Sequence, residues 1–362
     1  MNKAKRWINP AIQSLQAYHV PAAKGLIKLD AMENPFPWPD ELTRQWLAEI
    51  RSVPVNRYPD PGATSFSDKL RSIMQVPADL SIMVGNGSDE IIQILALALA
   101  QPDRTFLSVE PGFVMYRQIC LAVNTRYVAV PLNGDNFSLD HAAVIGAIKQ
   151  YQPALVFIAS PNNPTGNLFD EEILLDIISN APGPVVIDEA YHAFSGTTFL
   201  DHVNQFDNLL ILRTLSKSGL AGLRLGYLIG KSCWLDELEK IRLPYNINSL
   251  SQLTGDFILR HYKLLEDQVR EICLERDYMY EELSAIDGIR AWPSRANFIL
   301  FRTTGRNADE LFNDLVQRGI LVKNLHNTHP LLENCLRVTI GTGKENRIFL
   351  DTIRSLAQLP IS

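Results

Sequence analysis

The stretch TLSKSGLAGLRLGY, Thr214 to Tyr227, sets a lysine and an arginine among hydroxyl residues and glycines, directly after an apolar run. A lysine is almost never fully buried without a partner. Lys217 is therefore either an ordinary loop residue or an amine placed to condense with an aldehyde. Thr214, Ser216 and Arg224 beside it could hold a phosphate. Three other stretches follow apolar runs in the same way. In Gly85-Asn86-Gly87-Ser88-Asp89-Glu90 the glycines let backbone N–H groups approach a ligand, and the helix start that follows favours an anion. The plainer reading is that Ser88 or Asp89 caps a helix. PNNPTG, Pro161 to Gly166, carries Asn163 and reads otherwise as a turn. Asp188-Glu189-Ala190-Tyr191 puts a carboxylate and a phenol at the end of a buried run, where an uncompensated charge is costly.

Each stretch has an ordinary structural explanation. Together they supply an amine, an acid, a phenol, an amide, an arginine and a glycine-rich helix start. Pyridoxal phosphate calls for this set: a lysine for its aldehyde, hydroxyls, arginine and a helix N-terminus for its phosphate, and a carboxylate for its ring nitrogen. Asp188, held ionised, would keep that nitrogen protonated.

The elements that would position these groups alternate. Strand-like runs (LSIMVG, TFLSVE, RYVAVPL, ALVFIAS, PVVIDEA, LLILRTL, GYLIG) are interleaved with helical patterns such as SDEIIQILALALA and DEEILLDIIS. This predicts an α/β fold with a mainly parallel sheet covered by helices. The runs are apolar throughout, as buried parallel strands are, and the chemical stretches all follow strands, where open α/β sheets bind ligands. After about Leu250 the texture changes to a long charged helical pattern, from about Gln252 to Ile286, and then four strand-like pieces with helices between them. The expected division is a large domain over 40–250, and a smaller α+β domain formed by 1–39, an arm, with 251–362.

The 362 residues, 46% hydrophobic and 20% charged, allow a substantial core. A net charge of −6 without a long basic run argues against nucleic-acid binding. The N-terminus lacks a signal-peptide pattern, and the longest apolar run, IIQILALALA, is too short to span a membrane. Four widely separated cysteines suggest neither a zinc site nor a disulfide framework and fit a reducing cytoplasm. His326 and His329 in HNTH sit beside Asn and Pro, which predict a loop, so no metal site is expected. His192 reads as a packing or surface residue.

SPNNPTG, VVIDEAY and TLSKSGLAGLRLGY, in this order and at these separations, resemble the fold-type I aminotransferases that use pyridoxal phosphate, over nearly the whole chain. KLDAMENPF, NRYPDPG and CLRVTIGT resemble, more narrowly, the histidinol-phosphate aminotransferases. The resemblance implies that Lys217 carries the cofactor and that Asp188 meets its ring nitrogen. It implies that Tyr191 and Asn163 bond its ring oxygen, and that Tyr116 stacks on the ring. Gly87, Ser88, Asp89, Thr214, Ser216 and Arg224 would surround the phosphate. Tyr58 would reach the phosphate of a neighbouring subunit in a homodimer with shared sites. Tyr18, Asn34, Asn297, Lys323 and Arg337 would face the substrate. The implied reaction is the exchange of an amino group between histidinol phosphate and 2-oxoglutarate. Two departures stand out. Six residues separate Lys217 from Arg224, one fewer than in many members of the family, and Lys323 stands where many carry an arginine. An aromatic aminotransferase or a threonine-phosphate decarboxylase would share the fold. A nucleotide-dependent oxidoreductase built on GNGSDE lacks the third glycine of its fingerprint, and the full set of reactive groups disfavours a non-catalytic cofactor-binding regulator.

Overall fold

The computed structural model describes residues 3–13, 15, 17 and 22–357. Among the described residues twelve strands form two sheets. They are β1 (Ile27–Leu29), β2 (Ser81–Asn86), β3 (Thr105–Glu110), β4 (Arg126–Pro131), β5 (Leu155–Ala159), β6 (Val185–Asp188), β7 (Leu209–Thr214), β8 (Leu225–Gly230), β9 (Ile289–Ala291), β10 (Phe298–Thr303), β11 (Ile320–Asn324) and β12 (Cys335–Thr339). The large sheet has the order β2-β8-β7-β6-β5-β3-β4. Its pairs are parallel except those that β8 makes with β2 and β7.

β7 shows why these strands read as apolar throughout. Leu209 and Ile211 belong to the core on one face of the sheet, while Leu210 and Leu212 belong to the core on the other. Side chains alternate between faces along a strand, so helices on both sides leave no wet position. Helix starts follow local chemistry: Asp140 caps His141–Tyr151 by accepting from Ala143 N–H, and Asp170 caps Glu171–Asn180 through Ile173 N–H.

The small sheet has the order β1-β11-β12-β10-β9, with β1 parallel to β11 and the other pairs antiparallel. The N-terminal arm thus supplies a strand to the small sheet. Tyr191 and Phe194, just after β6, pack into the small sheet's core. The tip carrying Asp188 is therefore wedged between the two sheets.

The single helical pattern expected from Gln252 to Ile286 is two helices, Ser249–Arg260 and Tyr262–Ser284. The break falls at His261 (φ −115°, ψ 25°), whose ring packs on Phe257 at 4.9 Å. It lets Phe257, Ile258 and Leu259 join the large sheet's core while Val269, Ile272 and Met279 join that of the small sheet.

Candidate active site

The carboxyl ends of β5, β6 and β7 open on a cavity of about 90 Å³ lined by Ser88, Asp89, Asn163, Asp188, Tyr191, Thr214, Ser216, Lys217 and Arg224. Nine residues singled out from four separate stretches of sequence meet there. Met32, Phe113, Ala159 and Ala190 complete the wall.

Lys217 sits in a single wide π-type turn, Ser216–Leu220, that follows β7. Its Nζ lies 3.4 Å from the Ala31 carbonyl oxygen and 6.0 Å from the centre of the Tyr191 ring. Burial lowers its pKa to about 8, and the Arg337 guanidinium adds to the effect. An amine near its pKa at neutral pH is available as a nucleophile or a base.

Asp188 is almost fully buried. One carboxylate oxygen accepts from the Tyr116 hydroxyl at 2.6 Å and the other from Ala190 N–H at 3.0 Å. Burial pushes its pKa up to about 6 against these hydrogen bonds. These partners are a phenol and an amide, so a cationic ligand group in the cavity would complement the carboxylate. The sign of the pH effect follows. In cofactor-free protein the folded state holds this proton above its ordinary value of 3.8, so the stability it contributes is full below that value and lost as pH rises through about 6. Asp188→Asn should remove on the order of 2–3 kcal/mol of that pH-dependent loss. Urea unfolding of cofactor-free protein at several pH values between about 4 and 7 checks it, and an unchanged slope would contradict the assignment.

The end of the cavity expected to take an anion lies at the start of helix Ser88–Leu99. Thr214 Oγ1 donates to Ser216 Oγ at 2.9 Å, and Arg224 reaches Asp89 at 2.9 Å and Ser216 Oγ at 3.5 Å. The short spacing to Arg224 is absorbed by backbone winding. Gly219 takes φ 126°, a single 3-10 turn spans Ala221–Leu223, and Arg224 itself adopts φ 55°. Gly87 does not line the cavity; a Cβ there would stand 2.5 Å from the Arg224 guanidinium, so glycine lets the arginine lie across the helix start.

An adjoining cleft of about 470 Å³ shares Met32, Phe113 and Asn163 with this cavity. Lys323 and Arg337 line it from neighbouring positions of β11 and β12. Arg337 donates to Asn163 Oδ1 at 2.5 Å and to the Asp30 carbonyl at 3.0 Å, and Asn163 Nδ2 donates to the Tyr191 hydroxyl at 3.2 Å. Burial and the nearby Arg337 lower the Lys323 pKa.

Three expected roles need correction. Tyr116 does not stack over the cavity: its ring packs on Phe157 at 4.7 Å and its hydroxyl is committed to Asp188. Phe113, three residues earlier, is the aromatic that lines the cavity. Asn34 does not face a substrate space; its side chain binds Ser218 O, Gln268 and Phe36 N–H, and so ties the arm to the lysine loop. Asn297 is 0% exposed and donates to the Met32 carbonyl, so it holds a wall residue from behind. Tyr18 lies outside the described residues. Tyr58 is 81% exposed and stacked on Tyr245 at 4.5 Å, away from the cavity walls. His192 stays neutral, its pKa lowered to about 3 by burial, and its Nδ1 donates to Glu189 O. The rings of His326 and His329 accept backbone N–H groups of Asn334 and Leu331.

Sequence signals for the missed residues are weak. Met32 carries φ 54° and Ala190 is a plain residue after the acid; only Phe113, an aromatic following a strand, offered a hint.

The chain and its fold are similar to known proteins. The chain is 50% identical over 354 residues to a histidinol-phosphate aminotransferase of Nitrosococcus oceani, covering 98% of each chain. The crystal structure of the histidinol-phosphate aminotransferase from Clostridium acetobutylicum superposes with a TM-score of 0.83 at 25% identity, covering 92% of this chain and 99% of that one. The enzyme of the same name from Sinorhizobium meliloti, in complex with pyridoxal-5'-phosphate, shares the fold with a TM-score of 0.85 at 20% identity, covering 97% and 98%. The profile of the family described as aminotransferase class I and II matches residues 24–353, and the chain belongs to that family.

Proposed function

We propose that this protein is a pyridoxal-phosphate-dependent histidinol-phosphate aminotransferase, interconverting histidinol phosphate and 2-oxoglutarate with imidazole-acetol phosphate and glutamate. The observation that carries the reading is the junction of two spaces: a cavity holding Lys217 and Asp188, and a cleft holding Lys323 and Arg337. The full-length likeness to named relatives supports it.

The cavity residues fit the cofactor. Lys217 would hold it through the aldehyde. The buried carboxylate of Asp188, bonded to a phenol and an amide, would meet a protonated ring nitrogen. Asn163 and Tyr191 would bond the ring oxygen, Phe113 would lie against the ring, and Ser88, Thr214, Ser216 and Arg224 would bind the phosphate. When bound, the cofactor supplies an electron-poor ring that accepts the electron pair left at the substrate Cα. Lys217 Nζ would take the proton from the substrate Cα as a general base; work of this kind contributes about 10²–10⁴-fold. Tyr116 keeps Asp188 oriented, and Asn163 connects Tyr191 to the substrate-side Arg337.

One pocket must accept the carboxylate of glutamate and the phosphate of histidinol phosphate in turn. Arg337 is the shared contact, because a guanidinium matches either group. Lys323 adds a point charge felt mainly by the dianion. Arg337→Ala is expected to lower kcat/KM about 10- to 100-fold in both half-reactions. Lys323→Ala should lower it for histidinol phosphate more than for glutamate. Single-turnover spectra measure each half-reaction, and side-by-side assays with phenylalanine and threonine phosphate separate the related activities. Wild-type rates after Arg337→Ala would refute the anion site.

We further propose a homodimer with shared sites. Exposed Tyr58, stacked on Tyr245 near exposed Val55 and Leu243, supports it. Mixing inactive Lys217→Ala with weakened Tyr58→Phe subunits should restore activity in hybrids, since one site regains both residues. Exchange without recovery would overturn the shared-site proposal. Among the described residues no helix is long and apolar enough to cross a membrane, and the free cysteines support a cytoplasmic location.

A further inference from the structure

The cleft beside Lys217 has walls of opposite charge. Lys323 and Arg337 reach it from the small sheet, whereas Glu110, the last residue of β3, reaches it from the large one. Among the described residues lining the cleft, Glu110 is the one acid. It is mostly buried, and its carboxylate stands 3.8 Å from the Arg117 guanidinium, beyond hydrogen-bond distance. The Tyr127 hydroxyl lies beside it and beside Ser108. An ionised carboxylate accepts several hydrogen bonds, so these neighbours leave Glu110 able to accept another. The other polar side chains offer no charged acceptor: Thr328 Oγ1, which donates to the Leu325 carbonyl at 2.6 Å, and the Tyr127 hydroxyl are neutral oxygens. Arg117, Lys323 and Arg337 are pure donors. His329 Nδ1 already accepts from Leu331 N–H, which leaves Nε2–H as a donor. The Asn163 amide is engaged on both sides by Arg337 and Tyr191.

A histidinol phosphate molecule, on the functional reading above, brings an anion at one end, an amine in the middle and an imidazole at the other end. Its phosphate belongs with the cations of the small sheet and its amine with Lys217. The imidazole N–H then needs an acceptor on the remaining wall. We propose that Glu110 is a specificity-determining residue of this enzyme, accepting a hydrogen bond from the imidazole N–H of the substrate, with Arg117 and Tyr127 holding the carboxylate in place. A phenyl ring of the same size has no N–H to give. Its entry would leave the Glu110 carboxylate with a lost partner in a mostly buried site, and that disfavours it.

The test compares two phosphate esters in wild type, Glu110→Ala and Glu110→Gln: histidinol phosphate and the analogue carrying phenyl in place of imidazole. The quantity read is the ratio of their kcat/KM values, which a partly unfolded sample does not alter. Glu110→Ala should reduce the ratio about 10- to 100-fold, the weight of a hydrogen bond to a charged group. Glu110→Gln, which keeps an oxygen acceptor without the charge, should give a smaller reduction. An unchanged ratio in Glu110→Ala overturns the assignment while leaving the functional reading standing. A wild-type enzyme that does not process histidinol phosphate overturns the functional reading, and this inference with it.

Discussion

Lys217→Ala is expected to abolish turnover, with a loss of at least about 10⁴-fold, together with the visible absorbance of lysine-bound cofactor. Among the described residues Lys217 is the one lysine lining the cavity with Asp188, and its lowered pKa suits both the covalent bond and the proton transfer. The phosphate contacts proposed for Ser88, Thr214, Ser216 and Arg224 do not depend on it, so the variant should still retain cofactor, with the spectrum of the free aldehyde. Borohydride reduction of the wild type followed by peptide mapping gives an independent readout. The pyridoxyl label should fall on the peptide containing Lys217, and a label on any other lysine would contradict the site.

Arg213→Met should cost about 3–5 kcal/mol of folding stability, because it strips a buried carboxylate of its counter-charge. Arg213 Nε donates to Glu189 at 2.8 Å, and its other arm donates to Thr198 Oγ1 at 2.7 Å; both charged side chains are nearly fully buried. Glu189 also accepts from Phe199 N–H at 2.5 Å and from the Thr198 hydroxyl. Burial raises the Glu189 pKa, and Arg213 opposes that rise. A loss of this size is a large share of a typical domain's stability, about 5–15 kcal/mol. The double variant Glu189→Gln with Arg213→Met should recover much of the loss, since removing both charges of a buried pair is often neutral. Urea unfolding at neutral pH measures both, and a single-variant loss below about 1 kcal/mol would contradict the account. The pair also matters to the site. Glu189 N–H donates to Leu212 O at 2.7 Å, so the Asp188 turn is tied to the strand that carries Thr214 and leads to Lys217.

The strands were legible because two-sided burial writes itself as continuous apolar runs, and the reactive groups because each follows such a run. That logic placed Lys217, Asp188, Asn163, Tyr191 and Arg224 around one space. It failed where a choice depends on direction alone. Phe113 and Tyr116 lie three residues apart at the start of one helix, and the pattern does not say which turns to the cavity and which lies behind Asp188. It failed also for amides. Asn34 and Asn297 carry the chemistry of substrate ligands, yet the fold uses both on backbone carbonyls, of Ser218 and Met32, that shape the walls. Met32 enters through a left-handed turn after β1, a placement set by the arm's pairing with β11 and invisible in local composition. The proximity of Lys323 and Arg337 comes from strand register, which separate stretches of sequence do not reveal.

The visible spectrum of the purified protein during titration with histidinol phosphate tests the central claim most directly. The account predicts a yellow band of lysine-bound cofactor that bleaches as the amino group is transferred, and that returns on adding 2-oxoglutarate. Bleaching by phenylalanine or threonine phosphate but not by histidinol phosphate would contradict the substrate, and a protein that never binds pyridoxal phosphate would contradict the account as a whole.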